Sequence, residues 1–262
     1  MFAVMAIGAN WLSPYSAYEI ALSDKLLPPF WSSDGNFNHP LGTDKLGRDI
    51  LVRIMEGTRY SLAIGLAAVG LGGLVGTVLG LITGFFGKWQ DALIMRLTDA
   101  MLALPIILIA LLFAVRFGPS FQNLVIVLAL VMWARFARLV RGEVLTWKER
   151  DFVSLARTAG SSNVRIMWRH LFPNVVNPLV VLATLQIGWV ITVEAGLSFL
   201  GAGIPPPAPS WGSMIASGRG IIETAWWVTV FPGVALMLMV LAFNLLGDWL
   251  RDALDPRLRN IE

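Results

Sequence analysis

Long stretches of the chain carry no charged side chain, and short charged segments separate them. The uncharged runs cover 60–87, 117–134, 171–193 and 224–247, and a fifth apolar run, 97–115, contains only Asp99 and no charge before Arg116. Each run is near the length of about 20 residues that a helix needs to cross the hydrocarbon core of a bilayer. The pattern therefore predicts several membrane spans.

These spans are expected to be helices. Backbone polar groups in a bilayer find no water, so only helices and closed β-barrels cross it. Barrel strands alternate polar and apolar residues, and these runs do not alternate. The sequence predicts an all-α polytopic membrane helix bundle of about six transmembrane helices, the first one incomplete, organised as a single transmembrane domain over 1–262.

Residues 1–13 are apolar but too few to span a bilayer. Nothing before Glu19 is charged, whereas a signal peptide begins with a basic region. We therefore interpret 1–13 as part of a first span whose beginning lies outside this sequence.

The composition agrees with a membrane protein and excludes several kinds of chemistry. Of the residues, 56% are hydrophobic and 14% are charged, and the mean hydropathy is +0.69. The chain has no cysteine and two histidines, so thiolate metal sites, disulfides and cysteine nucleophiles are excluded. It contains no GxxxxGK[ST], GxSxG or HExxH pattern. We expect no catalytic residue, bound metal or nucleic-acid partner.

Lysine and arginine are distributed unevenly between the segments that join the spans. Segment 135–170 carries eight of them and 196–223 carries only Arg219, while 14–59 carries five together with six acids. Cytoplasmic loops of membrane proteins are enriched in Lys and Arg. The distribution predicts that 135–172 and the C-terminus are cytoplasmic, and that 14–59 and 200–225 are extracytoplasmic.

Small residues recur at every fourth position of the first long run, forming one stripe on a helix: Gly72, Gly76, Gly80 and Gly84. Such a stripe lets a second helix approach closely. Two interpretations remain open, packing within this chain and an interface with another subunit.

Two acids in apolar surroundings are candidate functional residues. Asp99 follows Arg96 by three residues, a spacing that favours a helical ion pair. Glu194 is costly to place in a bilayer, so it is expected to face protein or a wet cavity. It either makes a structural hydrogen bond or lines a translocation path. Trp211, Trp226 and Trp227 are interpreted as interfacial anchors.

The cytoplasmic segment between the uncharged runs 117–134 and 171–193 predicts two short helices. Phe152, Leu155, Ala156 and Ala159 share one helical face. Gly160 suits a helix end with positive φ, and Ser161 or Ser162 can cap the next helix. That helix is expected to stop at Pro173 and to place Val164, Met167, Trp168 and Leu171 opposite Arg165 and Arg169. It is either an amphipathic element on lipid headgroups or a docking site for a partner.

Several blocks of sequence resemble one family of transporters. They include "HPLGTDKLGRDILVR" at 39–53, "MRLTDAMLALP" at 95–105, "RHLFPN" at 169–174, "EAGLSFLGAG" at 194–203 and "FNLLGDWLRDALDPRLR" at 243–259. In this order they resemble the C-type permeases of dipeptide, oligopeptide and nickel ABC importers. The spacing from Gly160 to Pro173 is similar to the EAA loop of such permeases, with Ser154-Leu155-Ala156 in place of EAA and His170 in place of its Ile.

The resemblance implies a pore-forming subunit with the ABC type I importer permease fold in the bacterial inner membrane. It implies four partners besides the lipid bilayer: a homologous B-type permease, two cytoplasmic ATPase subunits that bind ATP and Mg, and an extracytoplasmic binding protein. The EAA loop would dock on the ATPases through Phe152, Ser154, Leu155, Ala156, Arg157, Gly160, Val164, Met167 and Pro173. Di- or oligopeptides are the expected substrates. Nickel chelates, glutathione-type peptides and a self-contained secondary transporter are the alternatives.

Overall fold

A computed structural model describes residues 15–254, and the prediction for 1–13 lies outside this range. Between 15 and 254 the chain is helical, with no β-strand apart from an isolated bridge between Thr43 and Asp49. The helices are α1 Ile50–Phe86, α2 Lys88–Ala103, α3 Ile106–Phe117, α4 Phe121–Trp147, α5 Asp151–Thr158, α6 Asn163–Phe199, α7 Trp211–Gly218 and α8 Trp227–Leu254. The predicted all-α class is confirmed.

Four helices are long and apolar enough to cross a membrane: α1, α4, α6 and α8. The pair α2–α3 makes a fifth if it is counted as one broken span. Helix α1 begins ten residues before the predicted span because Asp49 accepts the backbone N–H of Val52 at 2.9 Å, as an N-cap residue does. The helix therefore includes the end of the segment predicted as an extracytoplasmic loop.

The run 97–115 is not one continuous helix, contrary to the prediction. Helices α2 and α3 meet at an angle of 86°. Between them Leu104 has extended backbone angles, φ −81° and ψ 134°. Because Pro105 follows, its ring disfavours the helical conformation of the residue before it. The bend is therefore encoded by the Leu-Pro pair inside an otherwise apolar stretch.

Helix α6 continues through Pro173 to Phe199, so the predicted stop at Pro173 is wrong. A π-helical turn, Ile166–Leu171, precedes the proline, and the Phe172 N–H bonds the Met167 carbonyl five residues back. Such a turn holds one extra residue and shifts the hydrogen-bond pattern. Pro173 lies next to Phe172, where α-helical hydrogen bonding resumes. So close to the start of an α-helical segment, the missing N–H of a proline disrupts few hydrogen bonds.

The described residues group into two compact units, and several long helices contribute to both. The first unit comprises 15–66, 110–125 and 188–242. In it Trp211 is fully buried and donates its Nε1–H to the Ile54 carbonyl at 3.1 Å. Trp227 is also buried and donates to the Thr43 carbonyl at 3.2 Å. These two tryptophans are core residues with satisfied donors, so their interpretation as interfacial anchors is wrong.

The second unit comprises 67–109, 126–187 and 243–254. The four-glycine stripe of α1 lies against α4 in this unit. A Cβ placed on Gly76 would lie 2.3 Å from the Trp133 carbonyl oxygen, and one on Gly80 would lie 2.6 Å from Val140 Cβ. Gly72 and Gly84 contact α4 with similar closeness. The stripe therefore brings two backbones of the same chain together.

Candidate functional site

The segment 151–171 joins α4 to the apolar part of α6, and its central turn has a defined geometry. Gly160 has φ +77°, the left-handed conformation that glycine adopts without steric cost. The Ser161 N–H bonds the Ala156 carbonyl at 3.0 Å, and the Gly160 N–H bonds the Arg157 carbonyl at 2.9 Å. This pair of bonds is a Schellman motif, which ends α5 and satisfies its last carbonyl groups.

The next helix starts immediately after this turn. The Ser162 side chain accepts the backbone N–H of Arg165 at 3.4 Å and so caps α6. Because only a short turn separates the two caps, the end of α5 and the start of α6 are held closely together.

One face of the segment is anchored on the second unit. Val153, with 1% exposure, and the buried side chain of Ala156 pack with three buried residues of the π turn, Ile166, Met167 and Leu171. They form one apolar cluster with Leu81 and Phe85 of α1, Val140 and Val144 of α4, and Val175 of α6. The segment therefore has a hydrophobic core shared with three membrane helices.

The segment also carries apolar side chains that residues 15–254 leave exposed, although Trp168 packs against Phe172 with 5.2 Å between ring centres. Leu155 is 67% exposed, Val164 61% and Trp168 45%. Exposed polar side chains surround them, including Ser154 and Arg157. An exposed apolar cluster with a polar rim is typical of an interaction surface.

The structure therefore divides each of the two predicted apolar faces, which were Phe152, Leu155, Ala156 and Ala159, and Val164, Met167, Trp168 and Leu171. Residues two apart on a helix point about 200° apart. Because Val153 enters the core, Leu155 points away from it, and Met167 is buried while Val164 is exposed. The sequence analysis did not identify Val153 and Ile166 as buried residues. Their apolar side chains, and their spacing to Ala156 and Leu171, were the signals that could have indicated it. Phe152 is half-buried against Trp147, and Pro173 is exposed.

Charged side chains also connect this region to α1 and α2. Lys148 Nζ donates to the Gly84 carbonyl at 3.1 Å, near the C-terminus of α1 where a positive charge is favourable. The Arg157 guanidinium lies 5.3 Å from the Phe85 ring centre, within cation–π range. Arg141 holds Asp91 of α2 through two N–H groups, with 2.7 Å between Nη2 and Oδ2. The contact of Arg157 holds the segment itself against α1, and the other two hold α4 against α1 and α2.

The two candidate acids lie in different surroundings. Asp99 pairs with Arg138 of α4, so its predicted pairing with Arg96 is wrong. Glu194 is completely buried in the first unit, where Ser198 Oγ donates at 2.7 Å and Ser61 Oγ at 3.4 Å. The carboxylate is thus held by hydroxyl groups, while its participation in translocation stays a prediction. Within 15–254, no cluster of three or more acidic or histidine side chains is placed to hold a metal ion.

Comparison with known proteins gives concordant matches. Residues 76–260 match the sequence model of the family described as binding-protein-dependent transport system inner membrane component. The chain is 46% identical to the di/tripeptide transport system permease of Pseudomonas aeruginosa, over 97% of this chain and 84% of that protein. It is 42% identical to a glutathione transport system permease of Pectobacterium atrosepticum, over 98% of this chain and 83% of the relative.

The fold is also similar to that of solved transporters. A structure of the methionine ABC transporter MetNI in an inward-facing conformation matches with a TM-score of 0.64 and 18% sequence identity. The match covers 78% of this chain and 96% of that chain. At this identity the likeness concerns the arrangement of the helices.

Proposed function

Since this chain belongs to the family of binding-protein-dependent transport system inner membrane components, we propose that it carries di- or oligopeptides into the cell. It is a permease subunit of a bacterial ABC transporter. Peptides are favoured as substrates because relatives at 43–46% identity over nearly the whole chain are named dipeptide or di/tripeptide permeases. The glutathione permease at 42% identity makes glutathione the alternative.

The segment 151–171, which we call the docking segment, receives the force of ATP hydrolysis from separate subunits. The observation that carries this role is the exposure of Leu155, Val164 and Trp168 on a segment whose other face is buried in a core with α1, α4 and α6. A partner that binds the exposed side chains more tightly in one position shifts the equilibrium between positions. Because the segment is anchored, its displacement moves the membrane helices as well.

The assignment of ATP hydrolysis to separate subunits implies which partners this chain has. The chain has no phosphate-binding loop, so ATP and Mg are held by two ATPase subunits on the cytoplasmic side. A homologous permease completes the pore, and an extracytoplasmic binding protein delivers the peptide.

Cross-linking tests the docking role in a chain that has no cysteine of its own. With Leu155→Cys or Val164→Cys in the complete transporter, a thiol-to-amine cross-linker should join this chain to an ATPase subunit, and the yield should change when ATP is added. Ser217→Cys is the matched control, because Ser217 is also exposed but lies in the segment predicted as extracytoplasmic. Equal ATPase cross-linking from position 217 would contradict the assignment.

Orientation has an independent test. On intact cells, a membrane-impermeant thiol reagent should label Ser33→Cys and Ser217→Cys but not Ser161→Cys, following the distribution of lysine and arginine. The inverse pattern would refute the orientation. Uptake of a labelled dipeptide by proteoliposomes containing all subunits, with ATP inside, tests the transport function directly. Lack of such uptake would refute the peptide assignment.

A further inference from the structure

The second unit contains a cavity of about 570 Å³ that lies outside the docking segment. Its walls come from α4, the middle of α6 and the end of α8. Leucine, valine, proline and tryptophan side chains form most of its lining. Five polar residues also line it: Glu143, Asn174, Asn177, Asp248 and Arg251. Small-molecule sites typically have this size, an apolar lining and a few polar groups.

Several of these polar groups have donors or acceptors that no residue between 15 and 254 occupies. The side chains of Asp248 and Arg251 make no hydrogen bond or ion pair with any residue between 15 and 254. Glu143 accepts the indole N–H of Trp147 at 3.3 Å through one oxygen, which leaves the other oxygen for a ligand. The cavity thus offers carboxylates and a guanidinium together.

Amide groups accompany the charges. Asn174 donates its Nδ2 to the His170 carbonyl at 2.6 Å, and Asn177 donates to the Leu254 carbonyl at 3.4 Å. Neither Oδ1 atom receives a donor from a residue in the range 15–254. Both oxygens are therefore acceptors for an N–H group that enters the cavity.

We propose that this cavity binds the transported peptide as a zwitterion on its cytoplasmic side, with the peptide ammonium at Glu143 and Asp248 and its carboxylate at Arg251. This inference rests on the proposed peptide transport and on the predicted cytoplasmic position of the ends of α4 and α8. A dipeptide supplies every group that the lining complements: an ammonium, a carboxylate, an amide N–H for the asparagine oxygens, and side chains for the apolar wall. Its extended backbone spans about 7 Å.

The charges favour a peptide over the other occupants of a membrane cavity. An apolar helix of a second subunit would leave three charged side chains without partners in its interface, which is costly. A phospholipid headgroup supplies a phosphate for Arg251 and, in phosphatidylethanolamine, an ammonium, but it has no amide N–H between them for Asn174 and Asn177. A guanidinium binds a carboxylate or a phosphate through two parallel hydrogen bonds, so the amide contacts distinguish the two ligands.

The test measures binding without transport. The complete transporter is placed in nanodiscs without binding protein or ATP, and equilibrium binding of radiolabelled alanyl-phenylalanine is compared with that of its N-acetyl and C-terminal amide forms. The unmodified peptide should bind saturably. Asp248→Asn should raise the Kd about tenfold, which corresponds to about 1.4 kcal/mol. Asp252→Asn is the control, since Asp252 is an exposed acid on the same helix that does not line the cavity.

Pairing of variants with modified peptides separates recognition from a structural effect. N-acetylation should weaken binding to the wild type but have little further effect in Asp248→Asn, because the two changes remove the same contact. Amidation of the carboxylate should behave likewise with Arg251→Gln.

Equal Kd values for Asp248→Asn and Asp252→Asn would overturn the proposal. So would phosphatidylethanolamine that co-purifies with the wild type and is lost from Arg251→Gln. Efficient cross-linking of Val181→Cys to the second permease would also overturn it. Normal uptake in the complete system without saturable binding would refute this site alone. Absence of uptake would instead refute the proposed function.

Discussion

Replacing Gly160 by valine tests whether the docking segment must keep its tight turn. Gly160 has φ +77°, and a Cβ at this position would meet no atom within 4 Å. The substitution therefore causes no steric overlap with neighbouring residues, and its effect comes from the backbone conformation alone. The left-handed conformation costs an L-residue about 1–2 kcal/mol, and a β-branched side chain is among the least tolerant.

The magnitude decides what the assay should show. A cost of 1–2 kcal/mol changes the ratio of intact to opened turns about 5- to 30-fold. Opening breaks the bond from Ser161 N–H to the Ala156 carbonyl and changes the position of α5 relative to α6. The membrane helices do not include this turn, so the amount of chain in the membrane should stay near normal. Binding of ATPase subunits, or the peptide taken up per ATP hydrolysed, should fall by at most that factor, because only chains with an intact turn can dock.

Gly160→Asn is the matched control, because asparagine tolerates the left-handed conformation better than other L-residues. It adds a side chain at the same exposed position and keeps both backbone hydrogen bonds. Co-purification of ATPase subunits and uptake by proteoliposomes are measured for both variants. If valine and asparagine give equal uptake with ATPase subunits still bound, the turn is not needed for docking, and the segment is better explained as an element on the lipid surface.

Three further predictions concern packing, charge and nucleotide. Gly76→Ala should lower the stability of the purified chain by about 1–3 kcal/mol through overpacking, seen as a lower melting temperature, whereas Gly70→Ala, which has open space, should not. Arg141→Ala leaves the half-buried Asp91 without its bidentate partner and should lower the free energy of unfolding by about 1–3 kcal/mol. Loss of the exposed Arg138–Asp99 pair should lower it by only about 0–1 kcal/mol. Equal decreases for the two variants in unfolding measurements would contradict this difference. The isolated chain should bind no ATP in equilibrium dialysis, and micromolar binding would count against the assignment.

The turn of the docking segment could be predicted from the sequence, because residues adjacent in the chain determine its structure. The glycine at a helix end and the serine two residues later carry their own conformational preferences, and the turn forms as these predict. The bend before Pro105 had an equally local cause but was overlooked because hydropathy alone located that span.

Predictions failed where the answer depends on residues distant in the chain. Asp99 had a plausible partner three residues away, yet the fold brings Arg138 to it from 39 residues away. Apolar residues occupy several sides of the short α5, so only packing against α1 and α4 selects Val153 over Leu155 for the core. The same holds for Trp211, whose indole N–H finds a carbonyl 157 residues earlier.

The π-helical turn at Ile166–Leu171 makes the helical phase between the docking segment and the rest of α6 sensitive to chain length. An α-helix advances about 100° per residue, and a π turn accommodates one residue more than an α turn. Loss of one residue here would leave a continuous helix but rotate Val164 by about 100° relative to the residues beyond Pro173. Length changes at this turn are therefore expected to be rare among working relatives.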